Sequence, residues 1–457
     1  MSADRPINAD VEGRQEPLEP ADEPQPTEPP RPTEPGRRRP GIPGPIKLVA
    51  ALVVIAIGFI VLAVVAGGGS GKDQDGAAPT VTTTVAAGES EASPSTSESG
   101  SGSDEAPSAG AEELGYPSFA TSNTTRIGGP DPASNAAAAA LAVFPGTSAK
   151  QRPVAVALVG TEDWAGAIAA AVLMAEPIHA PLLYGEPEGV PTPTAEALAA
   201  LQPPGGAASG GDAAFAIGDV QVPDEMSAAK VPAADPATEA AAIARLRDRV
   251  AGSKPAAFIL ASSSEPAFAA PAAAYAARSG DPVLFTEANE LPPETVAALR
   301  RHGGLPVYAL GPSSAISNAV LREVEALGAK VHRIGGANPV ATAIAFARFD
   351  GGKFGWHVSD PGHGFVLARS DAPLEAAAAA PLSASGTWGP LLLTDSADTL
   401  PSELRGYFLD VKPGYTTDPT RAFYNHVWIV GDPAQISVEE QAEVNEVAEL
   451  AKIGSEE

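Results

Sequence analysis

The chain has no cysteine among its 457 residues. That excludes a disulfide framework, so any folded region must stand on its own apolar core, which this length permits. Aromatic residues are scarce, at 5%, which is poor material for a broad carbohydrate platform. Positive charge is scarce too: 29 Lys and Arg face 56 Asp and Glu, for a net charge of −27. Nucleic acid is thereby excluded as a partner, because its binding is dominated by cationic contacts to phosphate. An anionic ligand would have to meet a local basic patch rather than the average surface. There is no G-x-S-x-G elbow, and the six His sit in no motif that names a partner base.

What is present begins with an apolar run. Residues 1–45 are Pro-rich and charged, and bury too little surface to offset ordering entropy, so they read as a disordered tail. From Ile46 to Ala66 nearly every residue is Val, Ile, Leu or Ala. As a helix this stretch spans roughly 30 Å, the thickness of a bilayer core. The leader is too long for a cleaved secretory signal, so a transmembrane anchor is expected. Arg31, Arg37, Arg38, Arg39 and Lys47 lie before or at its entrance, against Lys72 beyond it. The positive-inside rule then leaves the N-terminus in the cytoplasm and the C-terminal head outside. Residues 67–117 are rich in Gly, Ser, Thr and acid and read as a flexible linker. Its ends would lie roughly 40 Å apart as a coil, and on the order of 170 Å when stretched.

After the linker, three phrases return three times in the same order. First comes Asp131-Pro132, Asp235-Pro236 and Asn338-Pro339, each an N-cap followed by Pro at the first helical position. Then comes an apolar strand after Pro, as in Pro181-Leu182-Leu183-Tyr184, Pro282-Val283-Leu284-Phe285 and Pro390-Leu391-Leu392-Leu393. Last comes a strand ending in Gly218, Gly311 or Gly431. Between them lie continuous apolar strands at 154–160, 257–261 and 365–368, each followed by an Ala-rich helix. Continuous apolarity implies strands covered on both faces, and the alternation implies parallel sheets with right-handed crossovers. The expected fold class is α/β: three Rossmann-like parallel-sheet lobes from tandem repeats, at 118–231, 232–332 and 333–457. The first repeat has room only for a stunted final helix, and 350–364 and 411–426 read as loop insertions in the third.

Arg126-Ile127-Gly128-Gly129-Pro130-Asp131 and Arg333-Ile334-Gly335-Gly336-Ala337-Asn338 extend the pattern, as do Ala315-Ile316-Ser317 and Gln435-Ile436-Ser437 after the Gly-ended strands. In this combination the chain resembles the cell wall-binding repeat 2 family over most of residues 125–445. The resemblance implies a non-catalytic surface module of Gram-positive type, attached non-covalently to an anionic wall polymer. The sequence departs from the family where Pro132-Ala133, Pro236-Ala237 and Pro339-Val340 replace the usual Arg-Tyr. It departs again where Lys230-Val231-Pro232-Ala233 replaces Arg-Ile-Gly-Gly.

Arg126, Asp131, Arg333 and Asn338 are the candidate polymer-binding residues. Arg126 and Arg333 end predicted strands, where open α/β sheets bind ligands, and a guanidinium there suits phosphate or carboxylate; the alternative is a structural ion pair. The Asp and Asn equally suit plain helix caps. Trp164, Trp356 and Trp388 suit either sugar stacking or packing between lobes. His357 and His363 flank Asp360 without a third spaced ligand, so no metal is expected, and no cofactor or catalytic residue is assigned. Two other readings stand beside wall binding. One is a wall-directed hydrolase using a strand-end Ser such as Ser262, or the His357/His363 loop. The other is a protein-interaction scaffold whose Pro-rich tail meets a cytoplasmic partner.

Overall fold

The structure, a computed structural model, describes residues 119–385 and 389–454. The tail, the apolar run at 46–66, the linker up to 117 and Trp388 lie outside the described residues. Among the described residues no helix is long and apolar enough to cross a membrane.

The first part of the chain runs β1 (Phe119–Ala120), β2 (Thr124–Ile127), α1 (Pro132–Val143), β3 (Val156–Gly160), α2 (Trp164–Ala170), β4 (Leu182–Gly185), α3 (Thr192–Leu201), β5 (Ala214–Ile217) and β6 (Ala228–Val231). The second runs α4 (Pro236–Ala251), β7 (Phe258–Ser262), α5 (Pro266–Ala269), α6 (Pro271–Ser279), β8 (Val283–Thr286), α7 (Pro293–Arg301), β9 (Val307–Leu310), α8 (Asn318–Ala326) and β10 (Val331–Ile334). The third runs α9 (Pro339–Arg348), β11 (Gly364–Arg369), α10 (Pro373–Ala378), α11 (Ala380–Ala384), β12 (Leu391–Thr394), α12 (Ser402–Asp410), β13 (Gly414–Tyr415), β14 (His426–Val430), α13 (Val438–Ala448) and β15 (Ala451–Lys452).

Among the described residues three larger sheets form, with orders β4-β3-β5-β6, β8-β7-β9-β10 and β12-β11-β14-β2-β1, beside a two-stranded β13-β15 sheet. Their core strands pair in parallel, as continuous apolarity requires. The expected α/β lobes are therefore present. No helix follows β5 before β6, so the first lobe lacks the helix that α8 and α13 supply to the other two.

The sheets share one detail that local pattern does not reveal. The strand before each Asp/Asn-Pro helix does not join the lobe that follows it. It pairs with the Gly-ended strand of another sheet: Ile217 with Val231, Leu310 with Ile334, and Val430 with Ile127. In the first two lobes that strand comes next in the chain. In the third lobe it is β2, from the start of the head, so the chain closes on itself as a ring. Side chains of α13 hold the joint: Gln441 Nε2 donates to Thr124 Oγ1 at 2.8 Å, and Thr121 Oγ1 donates to Asn445 Oδ1 at 2.7 Å.

The second helices of the lobes meet one another at the centre. Residues 164–174, α6 and α10–α11 bring Ala167, Ala170, Ala273, Ala276, Ala277, Ala377 and Ala380 together, all essentially without solvent exposure. Alanine favours the helix and lets backbones approach closely. One continuous apolar cluster therefore runs through all three lobes, while a smaller one lies under α7 and α8.

Candidate functional site

The strand-end arginines come first, because ligands of open α/β sheets bind beyond strand C-termini. Arg126 is 1% exposed, and its five N–H groups are all used. Nε donates to Gln441 Oε1 at 2.9 Å. One terminal nitrogen donates to the carbonyls of Gly431 at 2.8 Å and Asp432 at 3.0 Å. The other donates to those of Ile436 at 2.6 Å and Ser437 at 3.3 Å. Burial pulls its pKa down to about 10, opposed by Asp432 and Glu440. Arg333 repeats the arrangement, donating to Gly311 O at 2.9 Å, Ile316 O at 2.6 Å and Asn318 Oδ1 at 3.1 Å.

Each arginine thus clamps the loop between a Gly-ended strand and the helix after it. Lys230 stands at the same register in the first lobe, opposite Ala216, and is exposed. No helix follows β5, so the strand-to-helix turn that the arginines clamp is missing there.

The glycines beside these arginines have a packing reason as well. Gly128 has φ +96°, and a Cβ there would lie 2.0 Å from Asn135 Oδ1. That same oxygen accepts from Gly129 N at 2.9 Å. A Cβ on Gly335 would lie 2.7 Å from the Gly311 carbonyl. The space that the sequence leaves for a ligand's approach is filled by the protein itself. Asp131 and Asn338 act as N-caps: Asp131 Oδ1 accepts from Ser134 N at 2.9 Å, and Asn338 Oδ1 from Ala341 N at 2.7 Å.

The crevices where strand order reverses carry acids in the first and third lobes. In the first lobe Asp163, the N-cap of α2, faces Glu239 of α4 beside Gly218. Burial, followed by the hydrogen bond and charge of Asp163, raises the Glu239 pKa well above the carboxylate range. In the third lobe Glu375 is likewise raised, chiefly by burial, and Gln435 Nε2 donates to it at 3.3 Å.

Ser262 is fully buried, and its hydroxyl meets Ser264 Oγ at 3.3 Å rather than a histidine. His357 Nδ1 pairs with Asp350 at 3.3 Å and His363 Nε2 with Asp360 at 3.2 Å, two separate contacts. Among the described residues no group of three His, Cys, Asp or Glu side chains is placed to hold a metal. Trp164 packs edge-on to Phe285 at 5.6 Å, joining the first lobe to the second.

A polar cleft of about 540 Å³ opens elsewhere, where the 349–363 connection of the third repeat docks on the second lobe. Tyr275, Arg278, Ser279, Asp281, Lys353, Gly355, Trp356 and His357 line it. The loop is anchored by aromatic contacts: Phe354 stacks on Tyr308 at 3.5 Å and lies 4.4 Å from Tyr275. Gly355 N donates to Tyr275 Oη at 2.9 Å. The Arg278 guanidinium lies over the Trp356 ring at 5.1 Å, and burial lowers its pKa. Sequence reasoning singled out Trp356 and His357 but missed Arg278 and Lys353. The available signal was the basic and aromatic Gly-Gly-Lys-Phe-Gly-Trp-His stretch in an acidic chain.

Residues 230–321 and 333–440 match the family described as Cell wall binding domain 2 (CWB2). Two solved structures share the fold. Cwp6 from Clostridium difficile has a TM-score of 0.56 at 18% identity, over 71% of this chain and 47% of that one. Cwp8 from Clostridium difficile has a TM-score of 0.54 at 18% identity, over 72% of this chain and 52% of that one. The chain thus spans about half the length of these structures. No curated protein matches significantly.

Proposed function

We propose, on the premise that the second and third repeats are Cell wall binding domain 2 repeats, that this protein attaches the membrane to the cell wall. In this reading Ile46 to Ala66 is a single-pass anchor with its N-terminus in the cytoplasm. The 67–117 linker lets the head leave the membrane surface. The three-lobed head then holds an anionic wall polymer without covalent chemistry, and the Pro-rich tail is left for a cytoplasmic partner. The observation that carries the reading is the pair of family matches in a head made of three like lobes.

The polymer-contacting surface is proposed to lie away from Arg126, whose donors are all used. The absence of a histidine partner for Ser262 supports the non-catalytic reading. The test incubates the full-length chain with native walls and with walls stripped of their anionic polymers. Retention on native walls alone is expected. Equal retention on both, or on neither, defeats the proposal.

A further inference from the structure

The strands that end in Gly218, Gly311 and Gly431 leave a bare backbone spot at the same place in each lobe, and the lobes cover it differently. In the second lobe Phe268 covers it, with Cγ 3.4 Å from where a Cβ on Gly311 would lie. In the third lobe Gln435 Oε1 takes the place of a Cβ on Gly431, while the Gln435 amide donates to Glu375 at 3.3 Å. In the first lobe two carboxylate oxygens converge there from different repeats. Asp163 Oδ2 lies 3.5 Å, and Glu239 Oε1 3.7 Å, from the Cβ position of Gly218.

The fold itself makes little use of these two oxygens. Asp163 caps α2 through its other oxygen, Oδ1, which accepts from Gly166 N at 2.8 Å. Glu239 is 2% exposed, and among the described residues its Oε1 has no hydrogen-bond donor. Burying a carboxylate in that way costs free energy that a bound cation would offset. The charges that act on Glu239, those of Asp163 and Asp235, are both negative. Asp235 is committed to the N-cap of α4, where it accepts from Ala237 N, Thr238 N and Thr238 Oγ1. Asp163 and Gly218 are half-buried, so the spot is open to solvent on one side.

Two hard oxygen donors facing each other without a countercharge suit Ca²⁺, which accepts carboxylates in flexible geometry. With two protein carboxylates rather than three, main-chain carbonyls and water complete the shell, and the affinity is modest. About 0.1–1 mM, the range of extracellular calcium modules, is expected.

We propose that Asp163 and Glu239 hold one Ca²⁺ beside Gly218, joining α2 of the first repeat to α4 of the second. This inference does not depend on the wall-attachment reading. Thermal unfolding of the full-length chain in mild detergent tests it, first in EDTA and then with increasing Ca²⁺, with K⁺ at matched ionic strength as the control. Wild type is compared with Asp163→Asn, Glu239→Gln and Glu375→Gln. Asn is as good an N-cap as Asp, so Asp163→Asn removes the charge and keeps the helix start.

Ca²⁺ should raise the wild-type Tm, with half of the effect at about 0.1–1 mM, and K⁺ should not. Asp163→Asn and Glu239→Gln should each raise the half-saturating concentration about tenfold or more, since affinity follows the number of charged ligands. Glu375→Gln, in the third lobe, should leave it unchanged. In EDTA, Glu239→Gln should melt no lower than wild type, because the amide removes a buried charge that no donor satisfies. A merely structural carboxyl would instead leave that variant less stable in EDTA. Either of the two first-lobe variants decides the matter if the other fails to fold. The site is overturned if Ca²⁺ shifts nothing, if K⁺ shifts Tm equally, or if the folded first-lobe variants respond to Ca²⁺ as wild type does.

Discussion

Replacing Arg126 by Ala should destabilise the head far more than the same change at Arg333, although both stand in the same Arg-Ile-Gly-Gly phrase. Arg126 satisfies four main-chain carbonyls and Gln441 from a position 1% exposed. Its removal strands those acceptors away from water, at about 1–3 kcal/mol for each group left unbonded. It also recovers the cost of burying the charge, and water entering the gap restores part of the loss. A net cost of about 3–5 kcal/mol follows, comparable to breaking a buried charged pair by removing one partner. Arg333 makes three contacts from a half-buried site that solvent reaches, so about 1–2 kcal/mol is expected there. Urea unfolding of the full-length chain in mild detergent measures both. Arg126→Lys should not rescue, because three ammonium donors cannot meet five acceptors. A cost at Arg333 equal to or above that at Arg126, or values below about 1 kcal/mol at both sites, would refute the clamp.

Deleting Phe119–Ile127 should leave the edge of β14 unpaired and produce aggregation, seen as light scattering of the purified chain; a monodisperse product would show that ring closure is dispensable. Burial, opposed by the Thr394 hydroxyl and by Arg369 and Arg126, pushes the Glu440 pKa from 4.5 up to about 7. The folded state then binds more protons than the unfolded one between those values, so stability falls as pH rises through that window. Glu440→Gln should accordingly gain about 3 kcal/mol at pH 8 and nothing near pH 4; an equal effect at both pH values contradicts the assignment. Ala276→Leu forces a larger side chain between the central helices and should lower stability by about 1–3 kcal/mol in the same urea assay, whereas a neutral result would mean the axis is loosely packed.

The lobes were legible because their signals are local. Asp131-Pro132, Asp235-Pro236 and Asn338-Pro339 each start a helix where cap and Pro place it, and the apolar strands pair in parallel as expected. The destination of Arg126-Ile127 was not legible. Thr124 pairs with Val427 across the whole head, and no short-range pattern records that separation. The clamp was half visible: both Arg phrases accompany a Gly strand leading to Ile-Ser, and Lys230 stands where that helix is missing. The cleft was hidden for the same reason as the ring. Arg278 and Lys353 are distant in sequence, and they line one cleft where Phe354 stacks on Tyr308. Alanine helices expected to cover sheets also cover one another, since composition fixes how closely a helix packs but not against what.

Wall attachment is tested most directly by displacement. Full-length protein bound to native walls is challenged with soluble anionic wall polymer, and in parallel with an uncharged glycan of equal length. Release by the anionic polymer alone is the predicted result. Release by both, or by neither at saturating polymer, would contradict it.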